Sequence, residues 1–400
     1  MTPGPDGGLY VYVSTEERSV VALLDSSGTP RPGWPIALDD TWCHLPTAAV
    51  DGSIRVVCAF NADPLSRAHA FTQDGRPLAG WPVELPPASS SRVIGADLYI
   101  LGYAVDPGTQ ALAGVRIVVA TADGAVRTGA TYKTPDSSLQ DWRPQLGPDG
   151  TGYLLVFPNE EAGKSVITSF DLDGPRAGWR AEVDGWFNDL SFGRDGSLYA
   201  TELEEGTSSR IVAFGPDGRT LAFGSDALPV SATGTYSGAG PFVGPPPPVV
   251  AASGAMFLVT EANGTTVYGL DAAGRVMAGW PYRDEIGLQW SYVPRGDVGT
   301  PSWRSEPAVG PGDVLYLLHP SRAATLGGSI VAIGSDGRVR PGWPVGLKRA
   351  GSEFASVVVG PDGTAYALAI EPEAGDARSA SILAIAPDST VTWTTTIIEP

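Results

Sequence analysis

The chain has 400 residues, with 44 acidic and 26 basic side chains and a formal net charge of −18 at pH 7. Nucleic acid is excluded as a partner because binding a polyanion requires a clustered basic face, which the sequence lacks. No apolar run approaches the ~18 residues that a membrane-spanning helix needs. Glycine (51) and proline (36) exceed a fifth of the chain, yet 42% of the residues are hydrophobic, so we expect a folded, turn-rich protein.

The predicted elements recur in a fixed order along the whole chain. An apolar first strand ends in a turn of the Gly-Pro-Asp-Gly type and leads into an aromatic second strand, predicted at residues 9–13, 54–60, 96–105, 152–157, 197–203, 255–261, 314–319 and 364–370. A third strand with an Asp-Gly type turn follows each of them, at residues 19–28, 67–75, 115–124, 165–174, 209–218, 265–274, 329–337 and 381–389. Alternating β-branched residues closed by such turns are typical of strands joined by hairpins.

A Gly-Trp-Pro sequence opens the fourth strand of four repeats: RPGWPIAL (31–38), LAGWPVEL (78–85), MAGWPYRD (277–284) and RPGWPVGL (340–347), with a weaker relative, RAGWRAEV (176–183). We expect the indole to cover the edge of its own sheet and to lie against the next one. The glycine lets the backbone pass closely, and the proline removes a donor from an edge strand. The predicted packing residues are Trp34, Trp81, Trp179, Trp280, Trp343 and Trp393. A ligand-binding role is the alternative for these rings.

Spacings of 47 residues from Trp34 to Trp81 and 50 from Trp343 to Trp393 match the period of a propeller blade. The sequence therefore predicts an all-β fold, a single eight-bladed β-propeller of four-stranded antiparallel blades over residues 1–400. The approximate repeats are residues 1–38, 42–85, 90–133, 141–183, 185–228, 240–284, 299–347 and 352–400, with a long insertion at 281–303. The first repeat begins at a turn, so we expect it to lack its inner strand, or an upstream strand and export signal to precede Met1.

The stretch ALLDSSGTPRPGW (22–34), with its echoes AFTQDGRPLAGW and AIGSDGRVRPGW, resembles the Ala-x-Asp-x-x-Gly…Trp docking motif of PQQ-binding-like β-propeller repeats. That family includes eight-bladed quinoprotein alcohol dehydrogenases and cofactor-free scaffold propellers of the bacterial envelope. The resemblance covers essentially the whole chain and implies the fold. Quinone binding in the family uses a disulfide between adjacent cysteines, which this chain lacks, so we predict no cofactor.

The two cysteines, Cys43 and Cys58, lie fifteen residues apart on either side of the turn at 50–53. Counting along the hairpin places Cys43 roughly opposite Phe60 and Cys58 roughly opposite Leu45, within a bulge's reach of each other. Two readings stay open. The cysteines form a disulfide, or they are two small buried apolar residues.

Catalytic and metal-binding patterns are sparse in the sequence. His69 and His319, two of the three histidines, are predicted as packing or rim residues, and no Gly-x-Ser-x-Gly motif occurs. Zinc requires clustered histidine or cysteine at ligand spacing, so we predict no metal site. The sequence DLDG (171–174) begins like a calcium loop but falls at the hairpin turn shared by every repeat.

One set of residues remains as a candidate ligand-binding rim, on the segments that join one blade to the next. An aromatic residue beside Arg, His, Asn or Glu recurs there, as suits stacking and hydrogen bonding to a sugar or another neutral or weakly charged ligand. The rim candidates are Trp42, His44, Trp142, Arg143, Trp186, Asn188, Trp290, Arg295, Trp303, Arg304 and Glu306. The alternative is that each ring plugs the gap between neighbouring blades, which explains Trp290, inside the long insertion, least well.

These observations predict a non-catalytic propeller that serves as a ligand- or protein-binding or scaffold module, with no catalytic residue assigned. A glycan-active enzyme that uses carboxylates such as Asp284, Glu285 and Glu306 is the alternative, and a quinone-dependent dehydrogenase is a third reading. We expect a protein or carbohydrate partner, no nucleic acid, no membrane span and a monomer. The acidity, the few lysines, the resemblance and the candidate disulfide favour an extracytoplasmic location, although the chain shows no signal peptide.

Overall fold

A computed structural model describes residues 1–4, 6–14, 19–40, 42–43, 46–59, 65–106, 108, 112–133, 142–156, 164–184, 190–204, 208–223, 228, 247–261, 264–286, 307–320, 327–372 and 378–398. Within these ranges the secondary structure is strand and turn, apart from one 3-10 turn at Pro311–Asp313. The strands form eight antiparallel sheets in chain order, the blades of a β-propeller fold. The predicted fold class is confirmed. No helix in the described ranges is long and apolar enough to cross a bilayer.

The first four sheets follow the predicted order of strands. Sheet one contains β1 (Thr2–Pro3), β2 (Leu9–Ser14), β3 (Ser19–Leu24) and β4 (Ile36–Leu38), and sheet two contains β5 (Trp42–Cys43), β6 (Thr47–Ala48), β7 (Ile54–Ala59), β8 (Ser66–Phe71) and β9 (Val83–Leu85). Sheet three contains β10 (Ala88–Ile94), β11 (Asp97–Val105), β12 (Leu112–Ala120) and β13 (Val126–Thr128), and sheet four contains β14 (Trp142–Leu146), β15 (Gly152–Val156), β16 (Lys164–Asp171) and β17 (Gly174–Asp184).

The last four sheets repeat that order. Sheet five contains β18 (Ser191–Phe192), β19 (Leu198–Glu204) and β20 (Ser208–Phe214), and sheet six contains β21 (Val249–Val250), β22 (Met256–Glu261), β23 (Thr265–Leu270) and β24 (Tyr282–Asp284). Sheet seven contains β25 (Ala308–Gly310), β26 (Val314–His319), β27 (Ser329–Ile333) and β28 (Val345–Gly346), and sheet eight contains β29 (Glu353–Val359), β30 (Ala365–Pro372), β31 (Arg378–Ile385) and β32 (Val391–Ile398).

The described residues divide into two compact units, one from Met1 to Val183 with sheets one to four, and one after Val183 with sheets five to eight. The structure leaves the predicted single domain untested. Sheet five has three strands among the described residues, and the bridge between Phe214 and Thr220 after its last turn matches the bridge between Leu24 and Pro30 in sheet one. In sheet two the inner position is split between β5 and β6, both of which pair with β7.

Sheets inside a unit pack face to face, which explains why their central strands are apolar on both sides. Every residue of β26 is buried. Leu315 and Leu317 pack in a cluster with residues of sheet six, whereas Tyr316 and Leu318 pack with residues of sheet eight. Because successive side chains of a strand point to opposite faces, one central strand contributes to two cores.

The structure corrects the expectation for the first blade. Its inner strand is present, because Thr2 pairs with Tyr10 and Pro3 pairs with Leu9. A strand of two residues carries too little alternation to be recognised from the sequence. Residues 282–284, which the predicted sixth repeat shares with the predicted insertion, form the outer strand β24. Residues 287–306 lie outside the described part of the chain.

Each Gly-Trp-Pro segment forms the turn before a short fourth strand. The indole N–H of Trp34 donates to the carbonyl of Gln73 in sheet two at 2.9 Å, and that of Trp81 donates to the carbonyl of Ala122 in sheet three at 3.2 Å. In the second unit, Trp280 and Trp343 donate to the carbonyls of Ser335 (3.0 Å) and Pro387 (3.4 Å). The four Trp-Pro peptide bonds are cis.

Glycine is required on both sides of these junctions. Gly80, at φ +82°, lies so close to sheet three that a Cβ atom would sit 2.2 Å from the carbonyl oxygen of Asp123. A Cβ on Gly124 of sheet three would in turn sit 2.4 Å from the carbonyl oxygen of Gly80. No larger residue fits such a backbone-to-backbone approach at positive φ.

Candidate functional site

The predicted rim segments leave the sheets at one end. In each antiparallel sheet, the connection from the fourth strand to the next sheet lies at the same end as the loop between the second and third strands, which we call the connection end. The Asp-Gly type turns lie at the opposite end. Described residues form a polar cluster at the connection end in each unit, and each cluster pairs a histidine with an aspartate of the preceding sheet.

The cluster of the second unit lies at the root of the long insertion. The hydroxyl of Tyr282 donates to Oδ2 of Asp284 at 2.9 Å, and the backbone N–H of Ile286 donates to Oδ1 at 3.0 Å. His319, the last residue of β26 in the next sheet, has its Nδ1 3.8 Å from Oδ2 of Asp284. The carboxylate thus lies beside the next sheet at the point where the insertion departs.

Thr265, the first residue of β23, holds the start of the insertion from the neighbouring strand. Thr265 pairs with Asp284 in the β23–β24 ladder. Its hydroxyl donates to the carbonyl of Ile286 at 2.7 Å, and its backbone N–H donates to the same oxygen at 3.1 Å. Both the carbonyl and the N–H of Ile286 are therefore held, so the insertion starts from a fixed point.

The cluster of the first unit is more deeply buried. Asp40 follows β4 and is fully inaccessible to solvent, at 0% exposure. His69 of sheet two lies with Nε2 2.5 Å from Oδ2 of Asp40, and Arg67 lies with Nη1 3.5 Å from Oδ1. A buried carboxylate is tolerated when it is paired with cations and donors, as here.

A disulfide between Cys43 and Cys58 lies beside this cluster. The two residues are directly paired in the ladder, so the hairpin count misplaces each cysteine by two positions from its true neighbour. Each half of the hairpin contributes one position: β6 lies one residue from the count, since Thr47 pairs with Arg55 and not with Val56, and the register shifts by one more residue between β6 and β5. The backbone N–H of Cys43 donates to the hydroxyl of Tyr12 in sheet one at 2.8 Å.

Most of the predicted rim falls outside the described residues. Trp42 begins β5, and Trp142 and Arg143 begin β14, so all three stand at the connection end of their sheets, although their side chains are not described. The remaining candidates, which lie outside the described ranges, are His44, Trp186, Asn188, Trp290, Arg295, Trp303, Arg304 and Glu306. Of the carboxylates considered for catalysis, Asp284 is held in the cluster described above, Glu285 is exposed and Glu306 is outside the described ranges.

Sequence reasoning missed both aspartate–histidine pairs. It placed His69 and His319 as packing or rim residues without assigning them a partner. The available signal was the pair Asp39 and Asp40, two charged residues that follow the apolar strand β4. The DLDG sequence is a hairpin turn between β16 and β17, in which the N–H of Asp173 donates to the carboxylate of Asp171.

No protein-family model matches the chain, and no curated protein matches it significantly. Among solved structures, a eukaryotic initiation factor aligns over 97% of this chain and 84% of its own, with 11% identity and a TM-score of 0.51. The β-propeller domain of the Trilobed protease from Pyrococcus furiosus aligns over 90% and 98%, with 10% identity and a TM-score of 0.47. TolB from Acinetobacter baumannii aligns over 85% and 79%, with 15% identity and a TM-score of 0.33. At 11% identity, the similarity to the initiation factor concerns the fold alone.

Proposed function

We propose that this protein is a non-catalytic recognition propeller of the PQQ-binding-like repeat type, whose ligand surface lies at the connection end of its sheets. The segments that carry the rim candidates leave the sheets at that end. Binding residues are often placed on loops that a rigid scaffold positions. The blades supply the scaffold, and the connecting segments supply the aromatic and planar polar side chains.

The fixed root of the long insertion is the observation that carries this proposal. Asp284 accepts hydrogen bonds from Tyr282 and Ile286, and Thr265 holds the carbonyl of Ile286. A binding loop needs such support because ordering a mobile side chain on binding costs free energy, which lowers the affinity for the ligand. Trp290 follows Ile286 by four residues, so it is the ring we expect to contribute most to a ligand.

A neutral saccharide is the ligand class that we favour. Indole rings beside guanidinium and amide groups stack on sugar faces and bond their hydroxyls. The net charge of −18 disfavours anionic ligands. We further propose a monomer in an extracytoplasmic compartment, a location supported by the Cys43–Cys58 disulfide, because disulfides persist mainly in oxidising surroundings.

A catalytic role for Asp284 is disfavoured by its surroundings. A general acid or base must reach a proton of the substrate. The carboxylate of Asp284 instead accepts bonds from Tyr282 and Ile286 and faces His319. We assign this carboxylate to holding the root of the insertion.

Binding to an array of neutral oligosaccharides tests the proposal. We expect the intact protein to bind a subset of the array and the Trp290→Ala variant to lose at least tenfold in affinity. Arg219→Ala is the matched control, because Arg219 is 87% exposed in the turn at the opposite end of sheet five. Loss of binding in both variants, or in neither, contradicts the proposed surface.

Two other outcomes would replace the proposal. Release of new reducing ends from a bound oligosaccharide would identify a glycan-active enzyme. A visible absorbance band after incubation with quinone and calcium would identify a quinone-dependent protein.

A further inference from the structure

Asp40, Cys58 and His69, which the sequence did not indicate as neighbours, lie close together in the first unit. One ligand atom each of Asp40, Cys58 and His69 lies within 4.8 Å of the other two. Asp40 and Cys58 are fully buried, and the side chain of His69 is 14% exposed. Carboxylate, thiolate and imidazole are the donors that proteins use for Zn²⁺.

The buried carboxylate has capacity left for a ligand. Oδ2 of Asp40 is bonded to His69, but Oδ1 is buried and has no hydrogen-bond partner in the described part of the chain. Its nearest cationic neighbour is Nη1 of Arg67 at 3.5 Å, beyond ordinary hydrogen-bond length. The side chain of Arg67 is 36% exposed, whereas that of Asp40 is fully buried.

The Cys58 thiolate is available as the third metal ligand only when the disulfide is reduced. While Cys58 is bonded to Cys43, its sulfur carries no thiolate charge. A dithiol can reduce the bond by thiolate attack on one sulfur, release of the other cysteine and closure of the reductant's own disulfide. The products are two cysteine thiols and one oxidised dithiol, so electrons and protons balance. Cys43 is partly exposed and Cys58 is buried, so the attack falls on Cys43 and Cys58 is released.

We propose that reduction of the Cys43–Cys58 disulfide opens a site for a thiophilic divalent cation, Zn²⁺, formed by Cys58, His69 and Asp40. Binding replaces the proton of the Cys58 thiol, which passes to solvent, by a sulfur–zinc bond. The Cys43 sulfur, released by the same reduction from a residue directly paired with Cys58, is placed to complete a tetrahedral set.

The metal site and the disulfide exclude each other, and they connect different parts of the unit. The disulfide links two strands of sheet two. Zinc would link sheet two to Asp40, which follows the last strand of sheet one. Reduction would thereby replace a covalent link within sheet two by a metal link that adds to the Asp40–His69 bond between the two sheets.

Cobalt(II) titration of the reduced protein tests the proposal. The full-length chain is reduced with a water-soluble phosphine, which competes for the metal less than a dithiol does, and Co²⁺ is added. We expect one equivalent to bind with a thiolate-to-cobalt charge-transfer band and the visible bands of a tetrahedral site. The oxidised protein should show neither, and added Zn²⁺ should remove both. A folded, reduced protein without these bands overturns the proposal.

Variants assign the ligands. Cys58→Ser, introduced into Cys43→Ser so that no other thiol remains, should abolish the charge-transfer band, and His69→Gln and Asp40→Asn should each weaken binding by at least about tenfold. His319→Gln is the matched control, since it removes the other histidine that faces an aspartate and should leave binding unchanged. Retention of the band in the chain with both serine substitutions, or equal weakening by His319→Gln, contradicts the assignment.

A second measurement covers loss of structure on reduction. Cys43→Ser frees Cys58 without any reductant, and it should bind Co²⁺ in its absence. If the reduced or substituted chain unfolds, Zn²⁺ should restore its circular dichroism, because a ligand that binds only the folded state stabilises it. A chain that stays unfolded in saturating Zn²⁺ overturns the proposal. None of these readouts involves saccharides, so the result is independent of the proposed function.

Discussion

The Gly-Trp dipeptide is used in two different ways in the part of the chain that the structure describes. Where proline follows, in sheets one, two, six and seven, the fourth strand is only two or three residues long. In sheet four, where Arg180 takes the place of proline, the dipeptide lies inside β17, a strand of eleven residues. In the described segments, proline after the tryptophan accompanies an indole that precedes the strand, and arginine accompanies one that lies within it.

The surroundings of the glycine differ accordingly. Gly80, before Trp81, is in backbone contact with the next sheet, whereas a Cβ atom on Gly178, before Trp179, would meet no neighbouring atom within 4 Å. Yet both kinds of indole rest on a tyrosine of their own second strand, with ring centroids 5.3 Å apart for Tyr153 and Trp179 and 5.4 Å apart for Tyr316 and Trp343. Ring packing within a blade is thus common to both arrangements, and the close backbone contact belongs to the Gly-Trp-Pro junctions.

Removal of an indole at a Gly-Trp-Pro junction should give the largest effect. Trp280→Ala should cost about 3–5 kcal/mol of unfolding free energy, because the buried ring packs on Phe257 and bonds the next sheet. Trp393→Ala should cost less, since that ring lies within β32 and is only partly buried. Denaturant midpoints measure both. Equal losses would mean that contact with the next sheet adds little.

Glycine substitutions separate backbone strain from steric contact. Gly80 and Gly178 have φ values of +82° and +74°. Gly178→Ala should cost about 1–2 kcal/mol, the penalty of a side chain at positive φ. Gly80→Ala should cost a further 1–3 kcal/mol or so, because its Cβ would collide with the carbonyl of Asp123. If thermal unfolding shows the same loss for both, the close approach contributes nothing to stability.

High pH should destabilise the folded state through Tyr153, the residue that supports Trp179. Burial, and next the charge of Asp149, raise the pKa of Tyr153 from 10.0 to about 12. The folded state holds this proton more tightly than the unfolded state, so its stabilising effect is complete below pH 10 and is lost as the pH rises toward 12. We expect a loss on the order of 1–2 kcal/mol over that window.

Tyr153→Phe should flatten that pH dependence and leave stability at pH 7 nearly unchanged, as followed by urea unfolding at several pH values. Burial also raises the pKa of Tyr316, which supports Trp343, so Tyr316→Phe is the corresponding variant at a Gly-Trp-Pro junction. An unchanged slope between pH 10 and 12 in Tyr153→Phe would contradict the assignment to Tyr153.

The indole N–H should make the smallest of these contributions. Trp34→Phe keeps an aromatic ring but removes the donor to the carbonyl of Gln73, and it should cost about 1 kcal/mol. Phe223 of sheet five shows that a phenyl ring can occupy a comparable place, since it lies 5.8 Å from Tyr199 and contacts the turn glycine of sheet six, Gly274. A loss as large as that of Trp34→Ala would assign the whole effect to the hydrogen bond.

The fold could be predicted because its second and third strands have a clear pattern in the local sequence. Alternation and Asp-Gly turns are properties of neighbouring residues, so the second and third strands could be read directly from sequence. The strand at Thr2–Pro3 could not, because its two residues are held only by pairing with β2. The cysteine pairing was misplaced for a related reason, since the register change between β5 and β6 leaves no mark in residue type.

The clusters at the connection end depend on contacts between sheets. Asp40 and His69 are 29 residues apart and come from different blades. No local spacing indicates such a pair, which is formed only when the two sheets pack. The sequence could predict at which end of the sheets the rim residues lie, because strand direction fixes that end. It could not predict whether their side chains converge, because that depends on the conformation of the loops.

The forward direction of the indole bonds has a consequence for synthesis on the ribosome. Each of these tryptophans reaches a carbonyl 39 to 55 residues further along the chain, never an earlier one. A blade that has just been translated therefore holds an uncovered ring until its successor emerges. The nascent protein thus exposes one uncovered indole at a time near its growing end.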